Sequence, residues 1–359
     1  MTASPRGPRE RIPVAVLGAT GAVGQTFIRL LARHPWLRLA EVAASERSAG
    51  RSFGDAARWL LEETPPNVVA MPVLPCSPDA VSAPLVFSAL DASAAGPIEE
   101  AFARDGRIVL SNARNFRMER DVPLLIPEIN PDHLALLDWQ REQRGWSGGI
   151  VTNANCAAIV IAMALAPLHR AFGVRQLFVT TMQAVSGAGY PGVPSLDILG
   201  NVIPFIRDEE EKIESETRKI LGDLGARGVT SAAFGVSAQA NRVAVEDGHT
   251  ACISVALERP TDPDGAIAAL RGWSGAISEL GLPSAPVPPL VVHEASDRPQ
   301  PRRDAGRGGG MAVVVGRVRR DPLLDLRLVA CGHNMVRGAA GASILNAELM
   351  IARGLVPGA

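Results

Sequence analysis

The sequence predicts an α/β protein with a parallel sheet in its first third and a second sheet further along. Short apolar segments alternate with helix-like segments before residue 112, which is the pattern of βαβ units. A glycine-rich turn follows the first apolar segment, and long runs rich in β-branched residues begin near residue 174. A chain of 359 residues with 47% apolar content can bury one large core, but at this length we expect two domains.

Four strands and one helix are predicted in the first third. The strands are residues 12–17, 39–44, 85–88 and 108–111. A helix is predicted over residues 25–33, because Phe27, Leu30 and Leu31 can share one face at helical spacing.

The turn between the first strand and this helix has the spacing GxxGxxG. Gly18, Gly21 and Gly24 allow a tight turn and a close approach of the backbone to a pyrophosphate, which the helix N-terminus attracts. The order of strand, turn and helix favours a Rossmann-type dinucleotide site over a plain βα turn.

The loop after the second strand bears on which dinucleotide binds. An acidic residue there would bind a ribose 2′-hydroxyl, whereas serine and arginine suit a 2′-phosphate. Ser45, Arg47 and Ser48 therefore favour NADP over NAD, with a solvated loop arginine as the alternative interpretation.

A cysteine stands where a polar turn meets an apolar helix. The run TNANC ends at Cys156, and residues 157–165 are apolar and helix-forming. Unpaired N–H groups and the macrodipole at a helix start favour negative charge, so a thiol there is expected to ionise more easily. The alternative is a buried cysteine that only packs.

The middle of the chain supplies further polar candidates between two predicted strands, residues 174–184 and 250–257. Within a predicted helix over residues 208–221, Glu209 and Lys212 are three apart and share a face, although surface pairing is the default explanation for such a pair. Arg242 and His249 are an odd number apart, so one unbroken strand would point them to opposite faces. The Asp247-Gly248 turn or bulge could bring both to one site, and capping or packing is the alternative for His249.

Several classes of protein are disfavoured by composition. The net charge of −1 and the lack of a basic tract argue against nucleic-acid binding. Four widely spaced cysteines without a CxxC or His/Cys cluster argue against a disulfide framework or a metal site. Residues 1–11 lack the apolar core of a signal peptide. The sequence has no uninterrupted run of about 18 or more apolar residues, which a membrane-spanning helix would need. We therefore expect a cytoplasmic protein that binds no membrane.

These features combine into one chemistry. A nicotinamide cofactor would accept or deliver hydride, Cys156 would be the nucleophile, and His249 would be the general acid/base. Attack of the thiolate on an aldehyde, followed by hydride loss, gives a thioester that a second nucleophile releases. Arg117, Lys212 and Arg242 are available for an anionic substrate.

The sequence resembles the aspartate-semialdehyde dehydrogenase family, in particular its archaeal and fungal branch. The matching segments run in order along nearly the whole chain: GATGAVG (18–24), SERSAG (45–50), SNARNFRM (111–118), NANC (153–156), QAVSGAGYPGVPSLDILGNVIPFIRDEEEK (183–212), NRVAVEDGHT (241–250), RPQPRRDAG (298–306) and HNMVRGAAGASILNAELM (333–350).

The resemblance implies a role for each matching residue. Cys156 is the expected nucleophile and His249 the acid/base, while Arg242 binds the substrate carboxylate and Glu209 its amino group. Arg117 and Lys212, helped by Asn115, are expected to bind phosphate, and Asn155 to orient the substrate or the oxyanion. The expected NADP site comprises Gly18, Thr20, Gly21, Ala22, Val23, Ser45, Arg47, Ser48, Ser88, Asn112, Ser186, Gly187 and Asn334.

The same resemblance implies a domain plan and an oligomer. It divides the chain into a Rossmann-type NADP-binding domain over residues 1–152 and an α+β catalytic and dimerisation domain with a mixed sheet over residues 153–332. A C-terminal segment, 333–359, with a helix over 338–349, returns to the first domain. A homodimer or homotetramer is expected. Ala240 and Ala244 depart from the branch, which usually carries Cys and Pro there, and residues 263–289 are expected to form a variable surface helix and loop.

The expected reaction is NADPH-dependent reduction of L-aspartyl 4-phosphate, in the biosynthesis of lysine, threonine and methionine. Two alternatives remain open at this point. One is a related reductase of an acyl-CoA such as malonyl-CoA, and the other is a non-catalytic dinucleotide-binding paralogue. The presence of both Arg117 and Lys212 favours a phosphate partner, and the retained nucleophile and base argue against a non-catalytic protein.

Overall fold

The first half of the chain builds a seven-stranded sheet. In this computed structural model, which describes residues 7, 8 and 10–356, all neighbouring strands of the first sheet that are described pair in parallel. Its strands are β1 (Ile12–Leu17), β2 (Leu37–Ala44), β3 (Val73–Pro75), β4 (Leu85–Ser88), β5 (Ile108–Ser111), β6 (Leu124–Leu125) and β7 (Gly149–Asn153). The helices are α1 (Ala22–Leu31), α2 (Phe53–Ala56), α3 (Pro66–Val69), α4 (Ala92–Arg104) and α5 (Leu136–Arg144), with a 3₁₀ turn at Pro131–Ala135.

The strand order places a ligand crevice in this sheet. The order is β3-β2-β1-β4-β5-β7-β6, so the chain changes direction across the sheet between β1 and β4. Ligands of such sheets bind beyond the carboxyl ends of the strands at this switch point. The loops that follow β1 and β4 therefore border the expected nucleotide site.

The second half builds a mixed sheet, as predicted. Its strands are β8 (Val174–Gln183), β9 (Val202–Ile203), β12 (Gly235–Val243), β13 (His249–Leu257), β14 (Leu290–His293), β15 (Val313–Arg320) and β16 (Leu326–Gly332), and a separate hairpin joins β10 (Asp223–Gly225) to β11 (Gly228–Thr230). The helices are α6 (Cys156–Phe172), α7 (Ser195–Ile198), α8 (Glu209–Ile220), α9 (Pro263–Gly272), α10 (Pro301–Asp304) and α11 (Gly341–Ala352). Short 3₁₀ turns lie at Val185–Ala188, Ser278–Leu280 and Arg307–Gly310, and a π-helical turn at Val336–Ala340.

Helix α6 is the centre of the second core. Every residue from 157 to 168 is buried, because the helix is apolar around its whole circumference. It packs on β13, β16 and β8 on one side and on α8 and α9 on others. A helix enclosed in this way holds its first residue, Cys156, in a fixed place.

The C-terminal segment returns to the first sheet. Leu345 and Leu349 of α11 lie in the same apolar core as Val14 of β1 and Leu110 of β5. Of the predicted helix at 338–349, residues 341–349 belong to α11, which continues to Ala352, and residues 338–340 belong to the π-helical turn. Residues 357–359 of the expected segment lie outside the described residues.

Strands β1, β4 and β5 have the predicted bounds, and each end of β2, β8, β13 and α8 lies within two residues of the prediction. Two other predictions differ in an informative way. Helix α1 begins at Ala22 rather than at residue 25, since the last part of the glycine-rich turn is already helical. The prediction that residues 263–289 form only a surface helix and loop is wrong. Helix α9 is present, but Ile277 and Leu282 are buried in the core of the first sheet. The composition of a loop does not show which core its apolar side chains join.

No helix within residues 7, 8 and 10–356 combines the length and apolar character needed to cross a membrane. Most of the residues used to reject a signal peptide, Met1–Arg6 and Arg9, lie outside the described part of the chain.

Candidate active site

A cavity of about 1160 Å³ lies at the carboxyl ends of β1 and β4 and extends to the start of α6. Fourteen of the predicted site residues line it: Gly21, Ala22, Val23, Asn112, Asn115, Arg117, Asn155, Cys156, Ser186, Gly187, Glu209, Lys212, Arg242 and Asn334. The other predicted residues lie beside it or behind it, and each is placed below.

The glycine-rich turn forms one end of the cavity with its backbone. Gly18 has φ +70°, and a Cβ there would lie 2.5 Å from the carbonyl oxygen of Ala89. A Cβ on Gly24 would lie 2.3 Å from the carbonyl oxygen of Gly18. Gly21 caps α1 without a side-chain hydrogen bond, so free N–H groups of the first helical turn remain for an anion. Thr20 is half-buried within the same turn.

The residues predicted to contact the 2′-phosphate follow β2, the neighbour of β1. Ser45 and Arg47 are exposed and Ser48 is half-buried, and they lie outside the cavity wall. Ser88 ends β4 and is fully buried beside Glu99, whose carboxyl group accepts a hydrogen bond from Ser111 Oγ at 2.8 Å. Asn334 donates to Ser186 Oγ at 2.8 Å and so fixes the far wall of the cavity.

Cys156 is the first residue of α6, as predicted. Asn155 caps the helix, and its Oδ1 accepts from the N–H groups of Ala157 and Ala158 at 2.9 and 3.0 Å. Its Nδ2 donates to Glu209 Oε1 at 2.9 Å. The amide expected to orient substrate is therefore engaged in holding the helix start and Glu209.

The thiol and His249 form a close pair whose proton position can be inferred. Cys156 Sγ lies 3.2 Å from His249 Nε2. The backbone N–H of Ala184 donates to His249 Nδ1 at 3.1 Å, so Nδ1 must be unprotonated. The neutral ring therefore carries its proton on Nε2, facing Sγ.

Both members of the pair are neutral without ligand. Burial, followed by the charge of Arg242, lowers the pKa of His249 to about 3. Burial, followed by the charge of Glu209, raises the pKa of the Cys156 thiol to about 12. The expectation that a helix start makes this thiol ionise easily is thus wrong for the ligand-free protein, because the backbone N–H of Ala157 lowers the pKa by less than desolvation raises it.

Arg242 and His249 come together from two strands, which resolves their odd spacing. Strand β8 lies between β12 and β13, with Arg242 beside Gln183 and Thr250 beside Met182. Arg242 Nη1 donates to the carbonyl oxygen of Ala184 at 2.6 Å. A Cβ on Gly187 would lie 2.9 Å from Arg242 Nη1 and 3.0 Å from His249 Cε1, so the loop passes both side chains closely.

Helix α8 turns a charged face to the cavity. Glu209 Oε1 accepts from Gln183 Nε2 at 3.0 Å, and its Oε2 lies 3.4 Å from Lys212 Nζ. Asn115 Nδ2 donates to the carbonyl oxygen of Ala92 at 3.0 Å. The structure thus brings the predicted anion- and cation-binding groups to one cavity.

Sequence reasoning missed Gln183, Glu216 and Gly338. Glu216 lies seven residues after Glu209, so helical spacing could have placed it on the same face. A Cβ on Gly338 would lie 2.5 Å from the Cβ of Cys156, a contact between residues 182 positions apart that no local pattern reveals.

A parallel sheet with a glycine-rich turn, whose cavity ends at a paired thiol and histidine, defines the class of dinucleotide-dependent oxidoreductases with a cysteine beside the cofactor site. Two family models match the chain: "Semialdehyde dehydrogenase, NAD binding domain" over residues 13–137 and "Semialdehyde dehydrogenase, dimerisation domain" over residues 165–337.

Relatives and solved structures agree with these matches. The aspartate-semialdehyde dehydrogenase of Methanothermobacter thermautotrophicus is 51% identical over 94% of this chain and 99% of its own. That of Cryptococcus neoformans is 48% identical over 97% and 99%. The Candida albicans enzyme crystallised with NADP superposes with a TM-score of 0.89 at 41% identity, covering 96% of this chain and 100% of that one. The chain belongs to the aspartate-semialdehyde dehydrogenase family.

Proposed function

We propose that the protein reduces L-aspartyl 4-phosphate to L-aspartate 4-semialdehyde and phosphate with NADPH, and catalyses the reverse reaction. The observation that carries this proposal is the Cys156–His249 pair, at 3.2 Å, set at the end of a dinucleotide cavity among Arg117, Arg242 and Glu209. Membership of the aspartate-semialdehyde dehydrogenase family supports a role in amino-acid biosynthesis, which we propose is that of lysine, threonine and methionine. An acyl-CoA substrate and a non-catalytic role are not favoured.

The cavity fits NADP. Gly18 and Gly24 leave no room for a Cβ, and the free N–H groups at the start of α1 suit a pyrophosphate. Ser45, Arg47 and Ser48 would hold the 2′-phosphate, and Asn112, Ser186, Gly187 and Asn334 would line the nicotinamide end. When bound, the cofactor supplies or accepts the hydride.

Cys156 carries the covalent step. Its Sγ forms a bond to the C4 acyl carbon as the bond from that carbon to phosphate oxygen breaks, and the thiol proton leaves on the phosphate, which gives a thioester and hydrogen phosphate. Once the acyl carbon had received the hydride that a bound cofactor would supply, cleavage of the S–C bond would release the aldehyde and return the thiolate, which takes a proton from solvent. Arg117 and Lys212, with Asn115, would hold the leaving phosphate.

Bound substrate would change the charges that act on the thiol in both directions. Glu209 raises the pKa of Cys156, and pairing its carboxylate with the substrate ammonium would remove that cause. Arg242 and Arg117 lower the same pKa, and pairing them with the substrate carboxylate and phosphate would weaken their effect.

The position of the ring proton restricts the acid/base role that was expected of His249. With Ala184 N–H donating to Nδ1, the ring holds a proton at Nε2 and cannot accept one from the thiol there. His249 would therefore stabilise the thiolate and the substrate oxyanion as a neutral hydrogen-bond donor.

A homodimer is the assembly we propose, in the cytoplasm. The family model for residues 165–337 describes a dimerisation domain. Exposed apolar side chains on and after β8 supply a surface for a second copy: Phe178, Met182, Leu196, Leu199, Val202 and Phe205. The four free cysteines suit a reducing compartment. Light scattering at several concentrations distinguishes a dimer from a tetramer.

The test of function is the reverse reaction. Purified protein with L-aspartate semialdehyde, phosphate and NADP should form NADPH, seen by its absorbance. Activity only with malonyl-CoA and NADPH would reject the proposal. Cys156→Ala should abolish turnover and leave NADP affinity unchanged, and persistent turnover would reject the covalent mechanism.

A further inference from the structure

One face of α8 carries four charged residues, of which two have no role so far. Glu209, Lys212, Glu216 and Lys219 are spaced by three, four and three residues and therefore share a face of the helix. The side chains of Glu216 and Lys219 are buried, with 2% and 4% of their residue surface exposed. Charges buried to this extent need specific partners.

Lys219 fixes the loop that carries Arg117. Its ammonium donates to the carbonyl oxygens of Arg117, Glu119 and Val122 at 2.6, 2.7 and 3.0 Å, which uses all three of its N–H groups. The backbone at Arg117 is thereby attached to α8.

Glu216 joins the side chain of Arg117 to the start of α6. Its Oε1 accepts from Arg117 Nη1 at 3.0 Å, and its Oε2 accepts from the backbone N–H of Asn155 at 2.6 Å. Asn155 directly precedes Cys156. Arg117 Nη2 donates to the carbonyl oxygen of Asn112 at 2.7 Å, so each Nη atom uses one N–H group and retains one for an anion.

We propose that Glu216 is a positioning residue that holds the guanidinium of Arg117 at a fixed place relative to the nucleophile, so that phosphate is bound against the acyl carbon on Cys156. The proposal rests on the proposed function, in which Arg117 binds phosphate. A guanidinium aligned in this way offers two N–H groups to one anion, and a displacement of about 1 Å would lose that alignment.

Glu216→Gln tests the proposal because it keeps the shape of the side chain and removes the charge that orders Arg117. We expect the KM for phosphate to rise about tenfold or more and kcat to fall, whereas the KM for NADP stays within about twofold. Glu211→Gln is the matched control, since Glu211 is exposed on the same helix. A purely structural role would lower the melting temperature and leave the KM for phosphate unchanged, which would overturn the proposal.

A double-mutant cycle with Arg117→Lys separates action through Arg117 from a general effect. If Glu216 acts through Arg117, Glu216→Gln should change the KM for phosphate by less than about twofold in the Arg117→Lys background. An undiminished effect there would overturn the proposal. Glu216→Asp, which keeps the charge but withdraws the carboxylate, should also raise the KM for phosphate, and a wild-type KM for phosphate would overturn the positioning role.

A binding measurement keeps this proposal separate from the proposed function. Inorganic phosphate should raise the melting temperature of the wild type and of Glu211→Gln, and the rise should be lost in Glu216→Gln. Equal rises in all three proteins would overturn the role of Glu216. A wild type without turnover would instead reject the proposed function, while the phosphate-dependent shifts would still decide the role of Glu216.

Discussion

The close approach of Gly338 to Cys156 allows the effect of Gly338→Ala on the reaction rate to be predicted. A Cβ on Gly338 would lie 2.5 Å from the Cβ and 3.0 Å from the Cα of Cys156. Carbon atoms in contact are separated by about 3.5 Å or more, so Gly338→Ala must move one of the two backbones by about 1 Å. A misplacement of about 1 Å at a reacting group costs about 10²-fold in rate, or about 2.7 kcal/mol in the barrier.

The assay is kcat/KM for aspartate semialdehyde at saturating NADP and phosphate. We expect a loss of about 10²-fold for Gly338→Ala, together with a loss of stability of about 1–3 kcal/mol from overpacking. Gly272→Ala is the control, because a Cβ at Gly272 meets no heavy atom within 4 Å among the described residues. Activity of Gly338→Ala within about threefold of the wild type would refute the steric reasoning, because that corresponds to only about 0.6 kcal/mol.

Three further predictions concern titration and cofactor choice. Alkylation of Cys156 by iodoacetamide in the ligand-free enzyme should accelerate about tenfold per pH unit from about pH 7 to 10, since burial raises the thiol pKa to about 12; a plateau near neutrality would contradict this. Burial raises the pKa of Glu99 to about 7, so the folded state keeps a proton that the unfolded state loses, and stability should fall by about 3 kcal/mol as pH rises from about 4.5 to 7. The free energy of urea unfolding, measured across that pH range, should fall in the wild type and not in Glu99→Gln. The same pH dependence in both proteins would contradict the raised pKa of Glu99. Arg47→Ala should raise the KM for NADP about tenfold by removing a 2′-phosphate partner and leave that for NAD unchanged, whereas equal effects on both cofactors would exclude the contact.

The acid/base state of His249 is testable through the pH dependence of kcat/KM. With its pKa lowered to about 3 by burial and Arg242, His249 should contribute no step to kcat/KM between about pH 5.5 and 7.5. A step near pH 6.5 that disappears in His249→Gln would contradict the neutral-donor role.

Local pattern sufficed for much of the fold. Strands β1, β4 and β5 have the predicted bounds, because short apolar runs between turn residues determine a buried parallel strand. The position of Cys156 at the start of α6 also followed from sequence, since the polar residues before it cap a helix and the apolar run after it continues one. The buried loop at Ile277 and Leu282 did not follow, because its partners belong to a sheet more than 100 residues away.

By itself, the sequence determined the α/β architecture, the glycine-rich turn and the position of Cys156, the proposed nucleophile, at the start of a helix, since each depends on neighbouring residues or on a motif. Only the tertiary structure decided the state of that nucleophile. The Ala184 N–H determines which nitrogen of His249 carries the proton, and burial outweighs the helix start in setting the thiol pKa. The tertiary structure also brings Glu216 next to Arg117 and Gly338 next to Cys156. The physical reason is that desolvation and hydrogen bonding depend on every group packed around an atom, and most of those groups are distant along the chain.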